Sequence, residues 1–79
     1  MAAEPDVPDY GELRVELDAL RMRHDELDRR HARLQDRLVA FPNEFHQAQE
    51  QVMAAELERL RWLMLRVEAQ LLTLRDHSV

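Results

Sequence analysis

The fold is decided by residues 13–41, LRVELDALRMRHDELDRRHARLQDRLVAF, and by the proline that follows them. Leucine, histidine or phenylalanine recurs in this stretch at alternating steps of four and three residues. The positions are Leu13, Leu17, Leu20, His24, Leu27, His31, Leu34, Leu38 and Phe41. Such steps form the heptad repeat of a coiled coil, in which one narrow face of a helix contacts another helix. The stretch therefore predicts helix one, from about residue 10 to about residue 40.

Pro42 interrupts the pattern, because proline disfavours helical geometry in the residue before it and has no backbone N–H. We expect a turn at residues 41–43 and a second helix from about residue 44 to about residue 75. This helix two has its own seam: Met53, Leu57, Leu60, Met64, Val67, Leu71 and Leu74. Two helices of similar length joined by a short turn fold back antiparallel. The predicted fold class is an all-α, antiparallel two-helix coiled-coil hairpin over residues 10–79.

Folding the chain about Pro42 brings the two seams into register. The predicted layers are Leu13 with Leu71, Leu17 with Val67, Leu20 with Met64, His24 with Leu60, Leu27 with Leu57, and His31 with Met53. Each a position meets a d position, as antiparallel packing requires. Among the flanking charges, Arg14 is predicted to meet Glu68, and Arg30 to meet Glu56. Exposed ion pairs contribute less than ~1 kcal/mol each, so the leucines rather than the charges indicate the hairpin.

The chain is small for a stable monomer. It has 79 residues and no cysteine, so disulfides and thiolate metal sites are excluded and association is the remaining means of stabilisation. We expect the hairpin to form a homodimer, arranged as a four-helix bundle. An alternative topology is a parallel coiled coil of extended chains. In that arrangement, attractive pairs form between Asp9 and Arg14, Glu16 and Arg21, and Arg23 and Asp28 of the two copies.

Composition narrows the classes of partner. Residues 1–9 contain two prolines and three acids, which predicts a flexible acidic arm without the features of a secretory signal. The net charge of −5 disfavours binding to nucleic acids and to anionic membranes. No run approaches the ~18 apolar residues of a membrane span. We expect a cytoplasmic protein with neither nucleic-acid nor membrane partners.

Helix two carries a second apolar stripe at three- and four-residue spacing, on roughly the opposite side from its seam. It is less regular than the seam, because Arg59 and the step at Leu65 interrupt it. Its residues are Phe45, Ala48, Val52, Ala55, Trp62, Leu65, Ala69 and Leu72. A two-helix hairpin cannot cover both faces of helix two, and a helix that is apolar on two sides is buried on two sides. We therefore predict that these eight residues form an interface. Trp62 would be its anchor, because large aromatic side chains dominate interface energetics.

The strongest candidate for chemistry is the face formed by His24, Asp28 and His31, whose spacing suits metal ligands on one helix. However, no glutamate or histidine of helix two is predicted to face them. We interpret the two histidines as polar members of the seam and predict no metal site.

Enzymatic chemistry has no support in the sequence. The chain has no glycine-rich phosphate loop and no cysteine nucleophile, and Thr73 and Ser78 have no triad partners. We expect no enzymatic activity and no cofactor. The predicted function is a protein–protein interaction module: a coiled-coil adaptor, an assembly factor or a regulator that sequesters a partner. Its partner would be itself, a helical protein, or both. The alternative is a metal- or ligand-responsive helical regulator that uses the face of His24, Asp28 and His31.

Overall fold

The computed structural model describes the backbone of residues 9–77 and the side chains of residues 9–76. Within that range the chain forms two α-helices, α1 (Tyr10–Ala40) and α2 (Glu44–His77), which pack against each other as a hairpin. The predicted all-helical hairpin is therefore confirmed, and it is elongated, measuring 61 × 25 × 14 Å. The predicted acidic arm lies outside the described residues except for Asp9, and dimerisation stays a prediction.

Asp9 fixes the start of α1. Its side chain accepts a hydrogen bond from the backbone N–H of Glu12 at 2.7 Å, and its backbone oxygen accepts one from Leu13 at 3.1 Å. The first contact satisfies a backbone donor that the first turn of a helix would otherwise leave without a partner, and the second is the first bond of the helix itself. The acidic Glu12 also lies at the positive end of the helix dipole. Asp9 is therefore the N-cap of α1.

The turn is built from Phe41, Pro42 and Asn43, as the sequence predicts. The N–H of Phe41 donates to the backbone oxygen of Arg37 at 2.7 Å, and Pro42 has no N–H with which to continue the helix. Asn43 then caps α2, because its side-chain oxygen accepts hydrogen bonds from the N–H groups of Phe45 (2.8 Å) and His46 (3.3 Å). The chain therefore reverses direction over three residues.

The core lies between the two helices and is densest at the end remote from the turn. Leu13, Leu17, Val67 and Leu71 form a buried cluster, and Leu20, Met64 and Leu74 pack against it. These are the predicted layers of the two seams. Nearer the turn, Leu34, Leu57 and Leu60 are buried as well, whereas Leu27 and Leu38 are only half-buried. Phe41, predicted as the last seam residue, is instead exposed because α1 ends at Ala40 and the chain turns away.

The predicted ion pairs between the helices are wrong in detail. Glu68 contacts Arg21 at 3.5 Å rather than Arg14. Arg30 contacts Glu26 of its own helix at 2.9 Å, four residues away, rather than Glu56 across the hairpin. Neighbours four residues apart on a helix surface are always within reach, so a local partner competes with a distant one. The ion pairs lie on the surface of the hairpin and contribute little to its stability, whereas the apolar seam determines how the two helices pack.

Leu17→Ala is expected to destabilise the hairpin by about 2–5 kcal/mol, because Leu17 is 1% exposed and its truncation leaves a cavity. Val15→Ala, in the same helix but 70% exposed, should change the free energy of unfolding by less than about 0.5 kcal/mol. Urea unfolding followed by circular dichroism measures both. Equal losses from the two substitutions would contradict the placement of the core.

Candidate interaction surface

The predicted second stripe lies on the outside of α2. We call it the α2 stripe; it comprises Phe45, Ala48, Val52, Ala55, Trp62, Leu65, Ala69 and Leu72. All eight residues are exposed, and the five large ones retain more than half of their accessible surface. Their contribution to an interface stays a prediction, but nothing within the hairpin covers them.

Helical geometry explains why α2 has two apolar faces. Trp62 follows Leu60 by two residues, which is about 200° around an α-helix. Leu60 is 1% exposed against α1, so Trp62 necessarily points away from α1 and is 67% exposed. The same relation separates Leu65 from Val67 and Leu72 from Leu74. The sequence therefore commits α2 to a buried seam and to an outward stripe at the same time.

Trp62 and Leu65 stand between two shallow grooves at the middle of the stripe. One groove is lined also by Arg59, Leu63 and Arg66, and the other by Ala54, Glu58 and Arg61. A protruding side chain flanked by grooves is the surface that ridges-into-grooves packing of two helices requires. The middle of the stripe is therefore a ridge between two shallow grooves.

The outer side of α1 differs from the α2 stripe. Its exposed apolar residues include Val15, Met22 and Val39, and charged residues separate them. Single exposed apolar residues of this kind are normal on a protein surface, whereas a long contiguous stripe is not. The long exposed apolar stripe therefore lies on α2 and has no counterpart among the described residues of α1.

A polar contact interrupts the seam near the turn. His31 Nε2 lies 2.8 Å from Glu50 Oε1 across the hairpin, and both side chains are mostly buried, at 14% and 25% exposed. An ionised carboxylate can only accept, so the Nε2–H of His31 donates this hydrogen bond. The prediction that no glutamate or histidine of helix two faces the seam histidines is therefore wrong for His31.

The signal for Glu50 was present in the sequence. Glu50 precedes Met53 by three residues and follows His46 by four, so the heptad steps of the α2 seam continue backwards through both. Both side chains are half-buried, as seam positions should be. A heptad pattern defined by apolar residues alone begins at Met53, so it does not include the polar end of the α2 seam.

His24 has no comparable partner. Its Nε2 is buried and makes no hydrogen bond to any described residue, and its Nδ1 lies 3.7 Å from a carboxylate oxygen of Asp25, beyond hydrogen-bond distance. A buried polar atom without a partner costs about 1–3 kcal/mol. The two seam histidines therefore have opposite environments, although the sequence presents them as equivalents.

The structure does not assemble the candidate metal face. Among the described side chains, no three histidine, aspartate or glutamate residues are grouped so that they could hold a metal ion, and His24, Asp28 and His31 are no exception. His31 turns to Glu50, and Asp28 is exposed. No observation favours a metal-responsive function over helix contact. Neither α1 nor α2, over the part of the chain described, is long and apolar enough to cross a membrane.

Comparison with known proteins adds no further assignment. No protein-family profile matches the chain, and no curated protein sequence or solved structure shows significant similarity to it. The exposed surface of the hairpin is therefore the only guide to its function.

Replacing each seam histidine with leucine should change stability in opposite directions. His24→Leu removes an unpaired buried polar atom and is expected to raise the free energy of unfolding by roughly 1 kcal/mol. His31→Leu removes the partner of Glu50 and should lower it by roughly 1–3 kcal/mol. Urea unfolding of matched samples measures both changes.

The double variant His31→Leu/Glu50→Leu is the control for the polar pair. It replaces both partners with apolar side chains, so it should recover most of the stability lost in His31→Leu. If both single histidine variants shifted stability in the same direction, the distinction between the two environments would be wrong.

Proposed function

We propose that this chain is a non-enzymatic protein–protein interaction module whose contact surface is the α2 stripe. The hairpin is the scaffold: α1 covers one face of α2, holds it as a straight helix and leaves the opposite face for a partner. The class includes coiled-coil adaptors, assembly factors and regulators that sequester a partner helix. Its cytoplasmic location remains a prediction from the sequence.

The observation that carries the proposal is the exposure of five large apolar side chains along the part of α2 that α1 does not cover. They extend from Phe45 to Leu72, a distance of ~40 Å along the helix. Water contact with so much apolar surface is unfavourable, and such patches mark contact sites in soluble proteins. A partner helix that packs on the outer side of α2 would remove much of this surface from water.

Trp62 should dominate the binding energy. It lies near the middle of the stripe and is flanked by grooves that a partner can fill. Central tryptophans that become fully desolvated are the commonest hot spots of protein interfaces. The neighbouring arginines would form the polar rim that excludes water from the contact.

Trp62→Glu is expected to weaken association about 30-fold or more, which corresponds to a loss of about 2 kcal/mol or greater at a hot spot. Met22→Glu is the matched control, because Met22 is similarly exposed, at 73%, but lies on α1 outside the stripe. Two readouts apply to both variants: molar mass by light scattering, and quantitative capture of proteins from an extract of the native host by the immobilised chain.

The proposal requires that the associations lost in Trp62→Glu survive in Met22→Glu, with the helical circular dichroism of both variants unchanged. It would be overturned if every association of the wild-type chain survived Trp62→Glu. It would also be overturned if the wild-type chain bound neither itself nor any extract protein.

A further inference from the structure

The residues of the α2 stripe are spaced symmetrically about the bond between Glu58 and Arg59. The steps along the stripe are three, four, three, seven, three, four and three residues, the same in either direction. Residues equally distant from the centre are Phe45 and Leu72, Ala48 and Ala69, Val52 and Leu65, and Ala55 and Trp62. A pattern that reads the same from both ends suits an antiparallel twofold contact between identical helices, because apolar residue i then meets apolar residue j, and residue j meets residue i.

We infer that the occupant of the α2 stripe is the α2 stripe of a second copy of this chain, lying antiparallel and in register about the bond between Glu58 and Arg59. This inference rests on the proposed contact function of the stripe and names its partner. It also specifies an orientation that the general proposal leaves open.

Side-chain size selects the antiparallel direction. In that direction Trp62 packs at the height of the small Ala55 of the second copy, and Ala48 packs at the height of Ala69, where the helices can approach closely. A parallel pair would stack Trp62 on its own counterpart and each alanine on its own counterpart. The helices would then be forced apart at the tryptophan and left with gaps at the alanines, and close packing tolerates neither.

The charges beside the centre are complementary between two copies. Glu58 and Arg61 border one side of the stripe, and Glu56 and Arg59 border the other. An antiparallel partner places Glu58 and Arg61 of both copies on one rim and Glu56 and Arg59 of both copies on the other, so each rim carries two negative and two positive groups. Glu58 then lies about one residue along the axis from Glu58 of the second copy and about two residues from its Arg61, so a cation is within reach of each carboxylate. Arg59 already lies 3.6 Å from Glu56 of its own chain, whereas Glu58 forms no ion pair within residues 9–76. The second copy supplies the cation that Glu58 lacks.

The contact is large enough to be stable. The exposed parts of the five large side chains amount to on the order of 500 Å² per copy, or on the order of 1,000 Å² for the pair, which is about the minimum for a specific interface. Since Trp62 points away from the buried Leu60, the four helices would lie side by side. The two α2 helices would occupy the centre and the two α1 helices the outside. This arrangement differs from a closed bundle in which all four helices share one core.

Paired cysteine substitutions test the orientation, because the chain contains no cysteine of its own. Ala48→Cys and Ala69→Cys are prepared separately, mixed under oxidising conditions, and analysed by mass spectrometry of the cross-linked peptides. The expected product joins residue 48 of one copy to residue 69 of the other. Residue 48 should not cross-link to residue 48, because antiparallel copies hold these positions ~30 Å apart and a disulfide needs Cα atoms within about 7 Å.

Light scattering of the unmodified chain over a concentration series should give a molar mass approaching twice 9.4 kDa. Predominant cross-links between residue 48 and residue 48, and between 69 and 69, would overturn the antiparallel inference. A molar mass of one chain at every concentration would overturn the second copy as occupant. In that last case, Trp62-dependent capture of another protein would still support the proposed contact function, so the two failures are distinguishable.

Discussion

The fold of this molecule depends on removing leucine side chains from water on one face of each helix. Neither α1 nor α2 can bury its seam alone, and the short turn at Pro42 presents each helix with the other as the nearest apolar surface. Leu13, Leu17, Leu60 and Val67 consequently become almost inaccessible to water. Each buried leucine contributes about 1.5–3 kcal/mol, which exceeds the effect of any exposed ion pair on the hairpin. The hairpin leaves α2 with a second apolar face and no neighbour to cover it.

The polar contact between His31 and Glu50 limits how the seams can slide. A shift of α2 by one heptad in one direction would move Glu50 from His31 to the level of Leu38 and leave its carboxylate without a partner, at a cost of several kcal/mol. A shift in the other direction would instead bring it to His24. Leucine seams alone are tolerant of such shifts because one leucine resembles the next. The polar pair therefore adds specificity of register to a core whose stability comes from apolar burial.

The sequence predicted the hairpin because three independent signals agreed: two heptad seams, a proline between them, and a register in which apolar residues met. The sequence also predicted the α2 stripe, because α2 is apolar on two opposite sides and α1 can cover only one of them. It did not predict that His31 meets Glu50 while His24 remains unpaired. That difference depends on side-chain reach across the hairpin, which heptad positions do not specify. The ion pairs were missed for the same reason, because Arg21 and Arg30 each have several partners within reach.

Trp62 is the only tryptophan in the chain, so its fluorescence reports directly on the centre of the stripe. The proposed function requires that another protein chain covers Trp62 when the hairpin associates. Emission spectra and acrylamide quenching should be recorded over the same concentration range as the molar mass. The account predicts that Trp62, 67% exposed in the single hairpin, shifts to shorter emission wavelength and becomes protected from quenching as the chain associates. An associated chain whose tryptophan remained fully quenchable would contradict the claim.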